Sequence, residues 1–312
     1  MNAHTHASTP PPTLAHLRAF CAVVEHNGFA AAAEVLDTSQ PAISLHVRAL
    51  ERLYSLTLLR RLPRGVRLTE AGEAVYRHAT TMLRALAVMD EEMAAQRGLD
   101  RGHLLIGGST TVANYVLPAL LGAFKEAYPA IQVALVVENT ALIAGRVAGQ
   151  TLALAFIEGP VPQAYAPALQ VAPFRDDDLV LVTPARGPLA RRGPVLLADL
   201  ATLPFLMREP GSGTRQVLEQ ALGEVGAGVR VHLELGHTEA IKTAVGLGLG
   251  VSILSRQAVA HECRTGELRA VRVDGLQLRR AYTAITARQT YLTPAERAFL
   301  AVAGVGDQWH AP

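Results

Sequence analysis

Apolar residues recur every three or four positions over the first third of the chain, which is the spacing of helices with one buried face. The apolar face of the first predicted helix consists of Leu14, Leu17, Phe20, Cys21 and Val24. This helix ends at Asn27-Gly28, because glycine readily adopts the left-handed cap conformation. A second, alanine-rich helix is predicted over 29–36, and the polar residues 37–39 form the turn that follows it.

A third predicted helix separates polar from apolar positions. Ser39 or Gln40 begins it, and Pro41 lies in the first turn, where its missing N–H costs no helical hydrogen bond. Its inward-facing positions are Ile43, Val47, Leu50 and Leu53. Its candidate contact residues are Ser39, Gln40, Pro41, Ser44, Leu45, Arg48 and Arg52. A helix of this kind, packed by its back on a preceding helix, is typical of DNA major-groove recognition.

Arginine is concentrated in and after the third helix. Between Gln40 and Arg67 there are six arginines and one glutamate, a net charge of +5, whereas the whole chain carries +2. Such a concentration favours a DNA reader, because phosphate contacts supply most non-specific affinity for DNA. The arginines around Pro63 and Gly65 predict a β-hairpin wing, with Arg64 and Arg67 as DNA contacts. The alternative is a small three-helix bundle with a solvated basic face.

A long helical pattern begins at Thr69 and runs to about Gln96, with Arg97-Gly98 as its end. Its apolar stripe is formed by Val75, Met82, Leu83, Leu86, Met89 and Met93. A single stripe at this spacing on so long a helix favours pairing with a second copy of the chain. Packing back on its own domain is the alternative.

Strands alternate with helices after Gly102. Strands are predicted at 103–106, 131–138, 152–157, 179–183, 203–207, 231–235, 251–254, 268–273 and 280–286. Helices are predicted at 114–128, 140–149, 214–225, 237–247 and 293–303. Alternation of this kind predicts a mostly parallel sheet covered by helices, here arranged as two α/β lobes with a cleft between them.

Four strand-to-helix loops are candidates for binding a ligand in this cleft, because open α/β sheets bind at the carboxyl ends of strands beside helix N-termini. One is the glycine-rich segment 208–215, in which Arg215 adds charge. The candidate residues are Ser109, Thr110, Thr111, Asn139, Thr140, Ser212, Thr214, Arg215 and Thr238. Their hydroxyls and backbone N–H groups suit an anion. Ordinary N-capping is the alternative for any one of them.

Composition further limits the classes of protein to which the chain can belong. The chain has 312 residues, of which 50% are apolar and 18% charged, so two or three domains with proper cores are expected. Residues 1–12 predict a disordered tail rather than a signal peptide. No apolar run is long enough to span a membrane. Two cysteines, Cys21 and Cys263, form neither a disulfide framework nor a zinc site, and they indicate a cytoplasmic protein. We expect no metal, cofactor or catalytic residue, and we interpret Asp176-Asp177-Asp178 as a solvated loop.

Many residues of the N-terminal region resemble the LysR-type transcriptional regulators. They are Phe29, Ala32-Ala33, Leu36, Ser39-Gln40-Pro41-Ala42, Ser44, Leu50-Glu51, Leu58, Arg61 and Leu68-Thr69-Glu70-Ala71-Gly72. The resemblance implies an N-terminal winged helix-turn-helix with contacts at Gln40, Pro41 and Ser44. It also implies a long linker helix that pairs two subunits and a C-terminal two-lobed α/β effector domain similar to periplasmic binding proteins.

The resemblance divides the chain into a tail (1–12), a DNA-binding domain (13–70), a linker helix (71–98) and an effector domain (99–312). Lobe 1 would comprise about 99–173 and 274–312, and lobe 2 about 174–273. Segments such as 107–118, 156–160 and 208–215 resemble the branch of carbon-fixation and sulfur-assimilation regulators, which implies a small anionic effector. The implied partners are double-stranded DNA, that effector, a homodimer or homotetramer, and RNA polymerase.

Two other classes compete with a ligand-responsive regulator. The two-lobed half alone would suit a solute-binding component of a transport system, but that leaves the basic segment between Gln40 and Arg67 without a role. An enzyme built on the α/β half is the other alternative, and only the fold class favours it.

Overall fold

The computed structural model describes residues 11–96, 102–191, 193–224, 228–276, 278–306 and 309. The chain packs as two compact units, which divide between Asp90 and Glu91 inside one long helix. The predicted tail up to residue 10, and the predicted helix end at Arg97-Gly98, lie outside the described residues.

The first unit contains three short helices, a hairpin and most of a long helix, which continues into the second unit. These elements are α1 (Leu14–Glu25), α2 (Phe29–Val35), α3 (Gln40–Tyr54), β1 (Leu59–Arg61), β2 (Val66–Leu68) and α4 (Glu70–Gln96). The Ser39 hydroxyl caps α3 by accepting from the Ala42 N–H, and Pro41 lies in the first turn, as predicted. Thr69 caps α4 by accepting from the Gly72 N–H at 3.0 Å.

One apolar core joins α1, α2, α3 and the hairpin. Its buried members include Leu17, Phe20, Val23, Ile43, Val47, Leu50 and Leu58. Ala32 and Ala33 are buried in it too, so the small side chains of α2 allow close approach of its neighbours, as the sequence predicts. On α4, by contrast, Met82 and Met89 are about half exposed, at 54% and 50%.

The second unit alternates strands and helices. Its strands are β3 (His103–Ser109), β4 (Gln132–Glu138), β5 (Leu154–Glu158), β6 (Leu169–Pro184), β7 (Val195–Leu196), β8 (Phe205–Arg208), β9 (Val231–Leu235), β10 (Ser252–Ser255), β11 (Leu268–Val271), β12 (Val273–Asp274) and β13 (Arg279–Ala287). Its helices are α5 (Thr110–Tyr115), α6 (Leu117–Ala127), α7 (Thr140–Ala148), α8 (Leu197–Leu200), α9 (Gly213–Glu224), α10 (Thr238–Gly246), α11 (Ala260–Thr265) and α12 (Pro294–Val302).

Strand β6 runs through the sheets of both lobes. The largest sheet has the order β10-β6-β13-β5-β3-β4, with β11 also paired to β6. The first part of β6, up to Asp178, pairs with β13, and the part from Leu179 onward pairs with β10 and β11. Separate apolar cores lie around Phe156 and Phe299 in lobe 1 and around Phe205 and Ile253 in lobe 2.

The prediction of a mostly parallel sheet is wrong for the strands that connect the lobes. β3 pairs in parallel with β4 and β5, and β8 with β9. β13 is antiparallel to β5 and β6, and β10 and β11 are antiparallel to β6. The reason is topological, since the chain crosses to lobe 2 along β6 and returns in the opposite direction along β13.

Two further predictions are corrected. The helix predicted at 114–128 begins earlier and breaks at Val116, because Pro118 inside a continuous helix would lose a hydrogen bond and clash with the preceding turn. The three aspartates predicted as a solvated loop lie within β6, and Asp177 is buried, because Arg280 of β13 forms an ion pair with it.

Candidate functional site

The first candidate surface is the exposed side of α3. Eight of the nine predicted DNA contacts, including those of the wing, are exposed, and Ser44 is half-buried. Leu45 is the most exposed apolar residue among them, at 61%. The inward side of the same helix fills the core with Ile43, Val47 and Leu50. The structure therefore presents seven of the predicted residues together, on α3 or at its N-cap, and this helix is fixed from behind.

The hairpin lies as the sequence predicts, with Arg60 paired to Arg67 across two antiparallel strands. Two acceptors that the sequence analysis missed hold it. The Asn27 side chain accepts from the Val66 N–H at 2.9 Å. The carboxylate of Glu51, on α3, accepts from the Leu58 and Leu59 N–H groups at 2.8 and 3.3 Å. The wing is thus tied both to the α1–α2 turn and to α3, so its arginines have a defined position beside that helix.

The second candidate site lies where the two lobes of the second unit meet. The buried candidates are Ser109, Thr110, Thr111, Thr140, Ser212, Thr214 and Thr238. Ser109 ends β3, Thr140 begins α7, and Thr214 and Thr238 lie in the first turns of α9 and α10. Loops from the carboxyl ends of four strands therefore converge, as the predicted topology requires.

Hydrogen bonds join the lobes at this point. The Gly213 N–H donates to the Thr140 hydroxyl at 3.2 Å, and that hydroxyl donates to the Glu158 carbonyl at 3.1 Å. A Cβ on Gly213 would lie 2.0 Å from the same carbonyl oxygen, so only glycine permits this approach. The Ala141 N–H also donates to the Gly211 carbonyl at 3.0 Å.

Arg208, at the end of β8, is the central charged group of the junction and was not among the predicted site residues. Its side chain is 2% exposed. It donates to the hydroxyls of Thr110, from lobe 1, at 3.3 Å and Thr238, from lobe 2, at 3.1 Å. The neighbouring Glu209 carboxylate accepts from Nε and Nη2 at 2.7 and 2.9 Å. A buried guanidinium is hard to predict from sequence, because Thr110 is 98 residues away.

Arg215, which was predicted to add charge to the cleft, has carboxylate partners elsewhere. Its guanidinium donates to Glu219 at 2.7 Å and to Glu234 at 2.6 Å. Hydrogen bonding to Glu219 raises the pKa of Arg215 above its ordinary value. It also donates to the Arg208 carbonyl at 2.9 Å, so it supports the strand that carries the buried arginine.

Two further buried charges adjoin the junction and were also missed. Glu158, at the end of β5, accepts a hydrogen bond from the Ser109 hydroxyl and donates its N–H back to that oxygen at 3.0 Å. Arg280 donates to the Thr214 hydroxyl at 2.8 Å and pairs with Asp177. The predicted hydroxyls of Ser109, Thr110, Thr214 and Thr238 thus already form hydrogen bonds with ionisable side chains of the chain. The candidate site combines these hydroxyls with the guanidinium groups of Arg208 and Arg280.

The described residues contain no group of three or more His, Cys, Asp or Glu side chains that could hold a metal ion. Among the helices of the described residues, none is long and apolar enough to cross a membrane.

Comparison with known proteins identifies both units. The model of the bacterial regulatory helix-turn-helix protein, lysR family, matches residues 14–73, and that of the LysR substrate binding domain matches residues 97–304. A probable RuBisCO transcriptional regulator from Cyanidioschyzon merolae is 36% identical over 295 residues, which cover 93% of this chain and 96% of that protein.

Solved structures agree with this assignment. The CcmR regulatory domain of Synechocystis PCC6803, in complex with 2-PG, is 32% identical and has a TM-score of 0.60, covering 66% of this chain and 97% of that one. Full-length OxyR C199D from Pseudomonas aeruginosa shares the fold at 22% identity, with a TM-score of 0.76 and 95% of each chain covered. The predicted winged helix-turn-helix with a two-lobed α/β effector domain is confirmed, and the chain belongs to the LysR family of bacterial transcriptional regulators.

Proposed function

We propose that this regulator contacts double-stranded DNA through the exposed side of α3 and the wing, and that a small anion bound between its lobes sets its activity. The observation that carries the effector part is the junction at Arg208, where a buried guanidinium receives hydroxyl partners from both lobes. An anion there would contact both lobes at once. A ligand shifts a conformational equilibrium only when it prefers one arrangement, and a site shared by two lobes provides such a preference.

The proposed DNA contacts are the nine residues predicted from the sequence. Gln40 suits an adenine edge, and the arginines suit guanine or phosphate. Their support is exposure on one side of a fixed helix and on the hairpin beside it.

The DNA contacts can be tested by changing Arg48→Ala, Arg64→Glu and Arg67→Glu together. We expect loss of footprints on the DNA flanking the gene, because each phosphate contact contributes a slope of about −0.9 to the dependence of log affinity on log salt. Reversal of Arg186 and Arg272, exposed on the effector unit, is the control. Unchanged protection by the triple variant at moderate salt would contradict the proposed surface.

The proposed effector is a small anionic, phosphorylated or sulfur-containing metabolite, contacted by the candidate residues together with Arg208. Support comes from the concentration of hydroxyls around a guanidinium and from the CcmR domain, a 32% identical neighbour solved with 2-PG. A thermal-shift series with 2-phosphoglycolate, 3-phosphoglycerate and sulfate tests this, since a ligand of the folded state at 100 times its Kd stabilises by about 2.7 kcal/mol. An unchanged melting temperature with every anion would count against an anionic effector.

We further propose that the regulator forms a homodimer paired through α4 and that dimers can associate into a tetramer. This assembly acts on RNA polymerase in the cytoplasm. The matched relative is named a transcriptional regulator, and we propose that this chain likewise acts by binding rather than turnover. Nothing in these comparisons favours the solute-binding alternative, because both halves match regulator models.

A further inference from the structure

The guanidinium of Arg208 carries a positive charge into the interior of the second unit. It is almost fully buried at the lobe junction, and its hydrogen-bond partners are two neutral hydroxyls and one carboxylate. Thr110 and Thr238 carry no charge, so among these partners Glu209 alone compensates the positive charge. A buried charge of this kind requires a partner, because transferring it out of water is costly.

Glu209 meets Arg208 in the geometry of a bound ligand. Its two carboxylate oxygens accept from Nε and Nη2, at 2.7 and 2.9 Å, which is the bidentate arrangement that arginine offers to carboxylates and phosphates. The side chain of Glu209 nevertheless retains 21% exposure, whereas that of Arg208 retains 2%. The carboxylate therefore sits on the solvent side of a buried cation.

Among the described residues, no other hydrogen bond or ion pair holds the Glu209 side chain. Its hydrogen-bond partner is the neighbouring Arg208, and the Ser212 N–H donates to its backbone carbonyl rather than to its carboxylate. Rotation about side-chain bonds would release the carboxylate to water without moving the backbone. Arg208, by contrast, is held in place by Thr110 and Thr238 after such a release.

We infer that the guanidinium fork of Arg208 is an anion subsite of the effector cleft and that Glu209 is its internal competitor. This inference rests on the proposed function and names the group that the effector displaces. A carboxylate or phosphate of the effector takes the position of the Glu209 carboxylate, and Glu209 turns toward solvent. Because Thr110 and Thr238 belong to opposite lobes, the incoming anion is placed where it can hold both of them.

An internal competitor sets the effector concentration at which the regulator responds. The apparent affinity is the intrinsic affinity multiplied by the fraction of molecules whose subsite is free. If Glu209 occupies the fork in nine molecules of ten, effector binding weakens about tenfold. Removing the charge of Glu209 should therefore tighten binding, whereas a residue that only stabilises the site should weaken binding when it is changed.

The test is calorimetric titration of the full chain with 2-phosphoglycolate, a probe that carries both a carboxylate and a phosphate. We expect Glu209→Gln to lower the Kd about tenfold. Glu209→Asp, whose shorter side chain reaches the fork less well, should lower it by a smaller factor. Glu126→Gln is the matched control, because Glu126 is exposed on α6 and takes no part in the proposed site, so its change should leave the Kd unaltered.

The double change Arg208→Lys with Glu209→Gln should abolish the gain, because lysine lacks the planar fork. If the wild type binds the probe and both Glu209 variants bind it equally well or more weakly, the inference is overturned and the proposed function stands. Absence of binding by the wild type and by every variant overturns both. Melting temperatures identify any variant that fails to fold, in which case the other Glu209 variant decides the outcome.

Discussion

Asp177 and Arg280 form an ion pair in which each side chain is 1% exposed, between β6 and β13. Nε of Arg280 donates to Oδ2 at 2.8 Å, and the Ser255 hydroxyl donates to Oδ1 at 2.8 Å. Nη2 of Arg280 has no hydrogen-bond partner among the described residues. A pair this well buried stabilises little in itself, because desolvation offsets the attraction, but losing one partner leaves an uncompensated charge.

We therefore expect Asp177→Asn to lower the free energy of unfolding by about 3–5 kcal/mol. Asp178→Asn is the control, because Asp178 pairs with Arg279 at the surface, where such pairs contribute about 0–1 kcal/mol. Urea unfolding followed by the fluorescence of Trp309 measures both, since this is the only tryptophan and it packs on the lobe 1 core. Equal losses from the two substitutions would contradict the assignment of a buried pair.

Cys21 is a buried thiol whose reactivity can be measured. Burial in the core of the first unit raises the pKa of its thiol to about 12, with the charge of Glu25 adding to the effect. Only the thiolate reacts with disulfide reagents, so Cys21 should remain unmodified at pH 8 in the folded chain. In a Cys263→Ser variant, labelling should follow unfolding of the first unit. Rapid labelling under native conditions would show that the site opens without unfolding.

At the scale of elements, the wing is fixed by contacts at its tip. Gly65 has φ +90°, and a Cβ there would lie 2.2 Å from the Asn27 side-chain oxygen that accepts from Val66. Gly187 has the same φ with no atom near its Cβ position. Both Gly→Ala changes impose a left-handed backbone that costs roughly 1–2 kcal/mol, but only Gly65→Ala displaces the wing.

Gly65→Ala should therefore weaken DNA binding about tenfold, because misplaced arginines lose phosphate contacts. Gly187→Ala should leave it unchanged. Gel-shift titrations at fixed salt compare the two variants, with melting temperatures to match their stability. Equal DNA affinities would mean that the hairpin tip adapts to the added methyl group.

An element could be predicted from the sequence when the residues that determine it lie close together in the chain. Helix α3 follows from Ser39, Pro41 and an apolar spacing within fifteen residues. The first half of β6 was missed because Pro173 and three aspartates read as a loop, and only the partner strand, with Arg280 lying 103 residues from Asp177, makes them a strand. The candidate hydroxyls could be predicted from loop positions, whereas Arg208 required the fold that brings Thr110 and Thr238 to it.

At the scale of the whole molecule, the exposed methionines of α4 offer an apolar surface for association of two copies of the chain. Met82 and Met89 lie seven residues apart on one side of the helix and are each about half exposed. Burial of such side chains by a second copy of the chain would supply the apolar contact of a paired helix.

We expect Met82→Glu with Met89→Glu to convert the proposed dimer to a monomer and to reduce DNA occupancy in parallel, because two linked readers bind a two-fold site together. Sedimentation velocity and footprinting measure the two effects. Leu196→Glu, at an exposed position on β7 of the second unit and outside the DNA-binding unit, serves as the control for adding a charge. A variant that sediments like the wild type would contradict pairing through this stripe.

Strand β6 also limits how the lobes can move. No loose tether separates them at this crossing, since residues on both sides of Asp178 remain in continuous backbone ladders. Any swing of one lobe against the other must twist this shared strand and disturb the ladder hydrogen bonds on either side of Asp178. The proposed effector would then act through small rotations between the lobes rather than through wide opening.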